Sequence, residues 1–175
     1  MQRKKFITIF IVIAAVLSAV FVVCNSSVSG KRSYTVTSAI SERVAAVTVD
    51  GFSEMEEAAK KREVKRIDAF VRGVAHAAEF FLFGFFISAF FYYATGVKKP
   101  PLVFIAGFLV CAAFALADEF YQIFVPGRVF DLYDAAEDAA GAFFGCLIFA
   151  FGVRERKRKF FKQSERRVKT IDKSR

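Results

Sequence analysis

Residues 80–97 read FFLFGFFISAFFYYATGV, a run of 18 residues without a charged side chain. Apolar residues lie on all sides of a helix with this sequence, whereas a helix on the surface of a soluble domain keeps one polar face. A helix needs about 20 mostly apolar residues to cross the hydrocarbon core of a bilayer. The run therefore predicts a transmembrane helix.

Three further uncharged runs have the same character, in residues 6–24, 100–117 and 139–153. They are 19, 18 and 15 residues long, and the last reaches 19 residues if it begins at Ala135. A large soluble helical bundle is the alternative, but the polar sequence that remains could not cover four such helices. We therefore predict an all-α membrane protein with four transmembrane helices and a partly helical outer loop.

The net charge of +9, taken alone, would suggest a nucleic-acid partner. The basic residues, however, flank the predicted spans, in residues 3–5, 98–99 and 154–175. If the chain crosses the membrane four times, these segments lie on the same side. That side has 16 Lys and Arg residues and 3 Asp and Glu residues, whereas the other side has 10 Lys and Arg residues and 14 Asp and Glu residues. Because Lys and Arg concentrate in cytoplasmic segments, both termini are predicted to be cytoplasmic. The predicted partner is the lipid bilayer and not nucleic acid.

The chain divides into four predicted segments that differ in charge and hydropathy. They are a short cytoplasmic start with the first transmembrane helix (1–24), an extracytoplasmic loop (25–71), a core with three transmembrane helices (72–153) and a basic cytoplasmic tail (154–175). Within the loop, residues 33–49 have mixed periodicity and predict neither helix nor strand. Ser53 and Glu56 have the spacing of a capping box, which predicts a helix start.

The outer ends of the last three predicted spans are rich in polar residues. Arg72, His76 and Glu79 follow one another at steps of four and three, so they share one helix face. In the predicted topology, this face and the polar faces of the next two spans lie at the same depth in the membrane. Ionisable groups at this depth are energetically costly unless they are paired or in contact with water. The candidate site consists of Arg72, His76, Glu79, Asp118, Glu119, Gln122, Arg128, Asp134 and Asp138.

This cluster has a structural and a functional interpretation. Arg72 and Arg128 could neutralise carboxylates and simply hold the helices together. However, the cluster has five acidic residues and only two arginines, which leaves room for a cation or a cationic group of a substrate. We therefore expect a functional pocket. No Ser or Cys lies in the cluster as an obvious nucleophile.

Three motifs in this region resemble those of the VanZ-like family of bacterial membrane proteins. They occur in the family's order and spacing, as Arg72-x-x-x-His76-x-x-Glu79-Phe80, Asp118-Glu119-x-x-Gln122-x-Phe124-Val125-Pro126-Gly127-Arg128 and Asp134-x-x-x-Asp138-x-x-Gly141-x-x-x-Gly145. The resemblance covers about half of the chain, residues 72–152. One departure is that Gly73 follows Arg72, where the family often has Lys.

The resemblance implies a multi-pass protein of the bacterial cytoplasmic membrane, in a family named for a protein linked to low-level teicoplanin resistance. It implies no settled reaction, so two functions remain open. In the first, a cell-envelope protein binds a lipid-linked or cell-wall-related ligand in an outward-facing polar pocket. In the second, an intramembrane enzyme acts on lipid or cell-wall precursors through a His and carboxylate site. Neither the residues nor the resemblance specifies a cofactor, a metal ion or an oligomeric state.

Reporter fusions test the predicted topology. One predicted span precedes Gly30 and two precede Lys99, so alkaline phosphatase, which is active only outside the cytoplasm, should be active after Gly30 and inactive after Lys99. A fluorescent protein that folds only in the cytoplasm should give the reverse result at both positions. Two fusions on the same side would contradict the four-span arrangement.

Overall fold

Five α-helices and one 3₁₀ turn form the computed structural model, which describes the backbone of residues 2–172 and the side chains of residues 2–163. The elements are α1 (Gln2–Ser26), α2 (Gly30–Thr48), the turn Phe52–Glu54, α3 (Glu57–Tyr93), α4 (Pro100–Gln122) and α5 (Leu132–Asp172). No strand occurs in this described part, so the all-α prediction is confirmed. The predicted basic tail continues α5, and its end after residue 172 lies outside the described residues.

Four of the helices are long and apolar enough to cross a membrane. They are α1, α3, α4 and the part of α5 that ends at Gln163. Large apolar side chains such as Phe10, Leu109 and Phe151 are more than half exposed on these helices. Exposed apolar surface of this kind fits contact with lipid tails rather than with water. The prediction of four helices able to span a membrane is therefore confirmed.

Helix α2 covers most of the segment for which the sequence predicted no structure. Ser41 and Ala45, both fully buried, form its inner face, and Ser41 Oγ donates a hydrogen bond to Asp68 Oδ1 of α3 at 3.4 Å. The large side chains Tyr34 and Val36, in contrast, are exposed. An amphipathic helix usually buries its large apolar residues, but α2 buries small residues and exposes large ones. The sequence therefore lacks the hydrophobic periodicity by which a helix is recognised.

The capping box predicted at Ser53 and Glu56 is wrong. Ser53 lies in the 3₁₀ turn, and α3 begins only at Glu57, after Glu56 as N-cap without a side-chain cap hydrogen bond. Gly51 has a φ of 68°, and the chain leaves the 3₁₀ turn through extended backbone at Met55. This turn delays the helix, so the two residues never occupy capping positions.

Helix α3 has 37 residues and is therefore about 55 Å long, more than a bilayer core requires. It runs without a break through the predicted boundary at residue 72. It ends at Tyr93, because Gly96 turns the chain with a φ of 81° and the Val97 N–H donates to the Phe91 carbonyl oxygen. About 20 residues counted back from Tyr93 reach Val74. A spanning length that ends at Tyr93 therefore includes His76 and Glu79.

The basic segments meet at one end of the bundle, which we call the basic end. Lys98 Nζ donates to the Tyr92 carbonyl oxygen at the end of α3, and Lys157 Nζ of α5 donates to the Lys98 carbonyl oxygen at 2.6 Å. Desolvation, together with repulsion from Lys157 and Lys4, lowers the pKa of Lys98. The start of α1, the turn after α3 and the late part of α5 are thus close together, as expected for an even number of spans.

Helices α3 and α5 run in the same direction and touch through glycines. A Cβ atom on Gly141 would overlap the carbonyl oxygen of Ala77, and one on Gly145 would overlap that of Phe81. A Cβ on Gly84 of α3 would likewise approach the backbone of α5. Small residues four positions apart allow helices in membranes to approach closely, and this spacing sets the distance between α3 and α5.

An alanine at Gly145 should destabilise the protein, because its Cβ would push α3 and α5 apart. We expect a loss of about 1–3 kcal/mol, the usual cost of overpacking. Thermal unfolding of the purified full-length protein in detergent, followed by circular dichroism, measures it. Gly152→Ala is the matched control, since its Cβ would meet nothing within 4 Å. Equal melting temperatures for the two variants would contradict this account of the contact.

Candidate functional site

The polar faces of α3, α4 and α5 meet at the end of the bundle opposite the basic end, which we call the polar end. Here α1 finishes at Ser26, α4 finishes at Gln122 and α5 begins at Leu132. The structure brings all nine predicted residues to this end, in two groups. Arg72, His76, Glu79 and Arg128 line a cavity, while the remaining five lie beneath it or beside it, Asp118, Glu119, Gln122, Asp134 and Asp138.

Two side-chain pairs connect α3 to α5. Arg72 Nη2 donates to Asp134 Oδ2 at 2.8 Å, and His76 Nδ1 lies 3.1 Å from Asp138 Oδ1. The partners in both pairs are 62 residues apart, which is the constant offset expected of two parallel helices in register. Asp138 is fully buried, and the His76 side chain is 17% exposed. His76 therefore links a buried carboxylate to the cavity.

The carboxylates of α4 are held by other elements. Asp118 Oδ2 accepts hydrogen bonds from Ser26 Oγ of α1 at 2.5 Å and from Gln122 Nε2 at 3.1 Å. Glu119 Oε2 accepts one from the backbone N–H of Asp131, in the loop that leads to α5, at 2.9 Å. The turn predicted at residues 125–128 makes this last contact reachable, because Gly127 reverses the chain with a φ of 75°.

The end of α1 belongs to the site, which the sequence did not predict. Asn25 Nδ2 donates to Glu79 Oε1 at 2.8 Å, in addition to the bond from Ser26 to Asp118. Ser26 is 5% exposed, and Val22, one turn before it, is 1% exposed in the aromatic core with Phe80. The first helix is thus an integral part of the bundle. The only available signal was a polar Asn-Ser pair that ends an apolar run.

The cavity at the polar end has a volume of about 370 Å³ and lies between α1, α2, α3 and the loop after α4. Three arginines from three different elements line it, Arg32, Arg72 and Arg128. Arg32 is on α2 and was missed, because α2 was not recognised as a helix. Val28, Val36 and Ala75 add apolar surface. The cavity therefore combines positive charge with an apolar wall.

Two serines also line the cavity, although the predicted cluster contained no Ser or Cys as an obvious nucleophile. Ser26 and Ser33 both line it. Ser26 comes from α1 and Ser33 from α2, two elements to which the sequence assigned no role in the site. Both serines line the same cavity as His76 and Glu79.

Several polar atoms near the cavity are buried without a hydrogen-bond partner among the described residues: Arg72 Nε, Glu119 Oε1 and Asp138 Oδ2. Buried groups of this kind are rare, because each loses its bonds to water without replacement. Arg72 Nε offers a donor at the cavity wall. The two carboxylate oxygens offer acceptors. Glu119 and Asp138, together with Asp118, form the one group of acidic side chains in the described part that is spaced to hold a metal ion.

The comparison with protein families gives a match over most of the chain. The sequence model of a family described as VanZ/LLP1 matches residues 9–153. No curated protein and no solved structure matches the chain. The matched range begins in α1, includes α2 and ends in α5, so it contains all nine predicted site residues as well as Asn25, Ser26 and Arg32.

The hydrogen bond between Ser26 and Asp118 should be important for stability, because it satisfies a buried carboxylate. We expect Ser26→Ala to lower the free energy of unfolding by about 1–3 kcal/mol, the cost of removing a partner from a buried hydrogen-bond acceptor. Thermal unfolding in detergent measures this effect. The neighbouring Ser27→Ala is the control, since the Ser27 hydroxyl is exposed. If Ser26→Ala were as stable as Ser27→Ala, α1 would not support the site in this way.

Proposed function

Since the chain belongs to the VanZ/LLP1 family, we propose that it is a cell-envelope membrane protein that binds an anionic, lipid-linked intermediate of the cell wall. The ligand's phosphate would occupy the cavity at the polar end. Through this binding the protein would affect susceptibility to glycopeptide antibiotics of the teicoplanin type. The observation that carries the proposal is the convergence of Arg32, Arg72 and Arg128 on one cavity.

The donors of the three arginines favour a phosphate. Guanidinium groups bind phosphate oxygens through pairs of parallel hydrogen bonds, and they remain charged at any physiological pH. Arg72 uses Nη2 for Asp134, while its Nε has no partner among the described residues. Within the described part of the chain, the Arg128 side chain has one hydrogen bond, a long one from Nε to the Val28 carbonyl oxygen at 3.4 Å. Arg72 and Arg128 thus both have donors left for a ligand.

The position of the cavity favours a ligand that carries a lipid. His76 and Glu79 on its wall lie within the spanning length of α3, so a ligand that touches them is at membrane depth. The apolar side chains Val28 and Val36 sit beside the arginines. A phosphate head with an apolar tail fits this combination better than a soluble anion does. The predicted orientation, with both termini in the cytoplasm, would open the cavity to the outer leaflet.

The second candidate function is an intramembrane enzyme acting on the same class of ligand. It is favoured by the contact between His76 and the buried Asp138, in which a carboxylate fixes the orientation of an imidazole at the cavity wall. A histidine held in this way can act as a general base, and Glu79 lies on the same wall as a second candidate group for proton transfer.

Binding of a long-chain polyprenyl phosphate to the purified full-length protein in detergent tests the proposal. Native mass spectrometry should show the phosphate binding at least about tenfold more tightly than the corresponding polyprenol, because only the phosphate engages the arginines. Arg32→Gln and Arg128→Gln should remove this preference. Arg43→Gln, which changes an exposed arginine of the same helix as Arg32, should not. Equal affinities for phosphate and alcohol would contradict the proposal.

The phenotype and the enzyme hypothesis are tested with the same variants. Expression of the wild-type chain should change the growth-inhibiting concentration of teicoplanin in a susceptible host, and Arg128→Gln at equal membrane levels should abolish the change.

His76→Ala separates the two functions. If a polyprenyl diphosphate is converted by the wild type, while His76→Ala binds it without conversion, the enzyme is the correct function. If no product forms, binding alone remains.

A further inference from the structure

A second site lies beneath the cavity, among three carboxylates that belong to α4 and α5. Glu119 and Asp138 are fully buried, and Asp118 is 5% exposed. One oxygen of each lies within 4.8 Å of an oxygen of the other two. Acidic side chains are common in small clusters on protein surfaces, but three of them buried together near membrane depth are costly.

Each of the three carboxylates has one oxygen engaged, and two of the three have a second oxygen that is buried without a partner. Asp118 is held through Oδ2, Glu119 through Oε2 and Asp138 through Oδ1. Glu119 Oε1 and Asp138 Oδ2 are buried and have no hydrogen-bond partner in the described part of the chain. The protein thus fixes the orientation of each carboxylate through one oxygen, and it leaves a second oxygen of Glu119 and of Asp138 available.

The neighbouring cations do not neutralise these three groups. Arg72, the nearest arginine on α3, pairs with Asp134 instead. Among the described residues, the one ion pair that involves the three carboxylates is the contact between Asp138 and His76. Buried carboxylates without enough positive charge must take up protons or bind a cation. The fixed orientation of the three carboxylates and the unpartnered oxygens of Glu119 and Asp138 favour the cation.

We propose that Asp118, Glu119 and Asp138 bind one divalent cation of the class that prefers oxygen ligands, such as Mg²⁺, Mn²⁺ or Ca²⁺. These ions bind carboxylate oxygens at about 2.0–2.6 Å, so two oxygens on one ion are at most about 5 Å apart. The spacing of the three carboxylates meets this limit. The absence of a cysteine thiolate from the group disfavours softer ions.

The side chains around the cation site have a supporting role. Gln122 and Ser26 donate to Asp118, and His76 contacts Asp138, as expected of groups that orient metal ligands. Ser26 and His76 also line the cavity above. The cation site is therefore separated from the cavity by a single layer of side chains. The proposal of a cation site does not depend on the proposal that the cavity binds a lipid-linked phosphate.

Binding of Mn²⁺ to the purified full-length protein in detergent tests the cation site. The electron paramagnetic resonance signal of free Mn²⁺ falls when the ion is bound, so a titration in metal-free buffer gives stoichiometry and affinity. We expect about one Mn²⁺ per chain, displaced by excess Mg²⁺ or Ca²⁺ but not by K⁺. Glu119→Gln and Asp138→Asn should each weaken binding at least about tenfold.

The matched control is Glu137→Gln, which removes a carboxylate next to Asp138 on the same helix but outside the group of three. It should bind Mn²⁺ as the wild type does. Elution as a single species and an unchanged helical circular dichroism spectrum establish folding, and Mn²⁺ should raise the melting temperature of the wild type but not of Glu119→Gln. No Mn²⁺ binding by the wild type, or equal binding by Glu119→Gln, would overturn the proposal. Either result leaves the phosphate-binding experiment unaffected.

Discussion

The parallel contact between α3 and α5 controls the rest of the site. Gly141 and Gly145 remove the side chains that would separate the two backbones, so the helices lie close enough for short polar pairs to form between them. Arg72 with Asp134 and His76 with Asp138 both follow the offset of 62 residues that this contact fixes. A slip of one residue would rotate a whole helix face by about 100° and separate both pairs at once.

The positively and negatively charged side chains of the site lie at two different depths. The arginines line the cavity, and the buried carboxylates lie below it, with His76 and Ser26 between them. An anion in the cavity and a cation on the carboxylates would attract each other across this layer. Such coupling is reciprocal, so each ligand would strengthen the binding of the other by the same factor. A low dielectric constant at membrane depth makes the attraction stronger than it would be in water.

Most of the fold, and the polar faces of three helices in the candidate site, could be predicted from the sequence. Uncharged runs longer than a small core can bury revealed the spanning helices, and steps of three and four residues revealed the polar face that carries Arg72, His76 and Glu79. The contributions of Asn25, Ser26 and Arg32 were missed for two physical reasons. The end of an apolar helix gives no periodic signal, and α2 buries small residues while exposing large ones.

The sequence also could not predict which residues of α3, α4 and α5 contact one another. Periodicity places residues on the face of one helix, but it does not say which faces touch. Asp118 and Glu119 are adjacent in the sequence, yet one is held by α1 and the other by the backbone before α5. Only the relative rotation and depth of the helices assign these partners.

The order in which the helices are synthesised affects how the chain inserts into the membrane. Asp118 finds its donors in α1 and in α4 itself, but the backbone donor to Glu119 follows later in the chain, in the loop before α5. Helix α4 is therefore made before the donor to Glu119 exists. A nascent chain that stalls before this loop would leave a buried carboxylate without its donor, and it would become a natural target for membrane quality control.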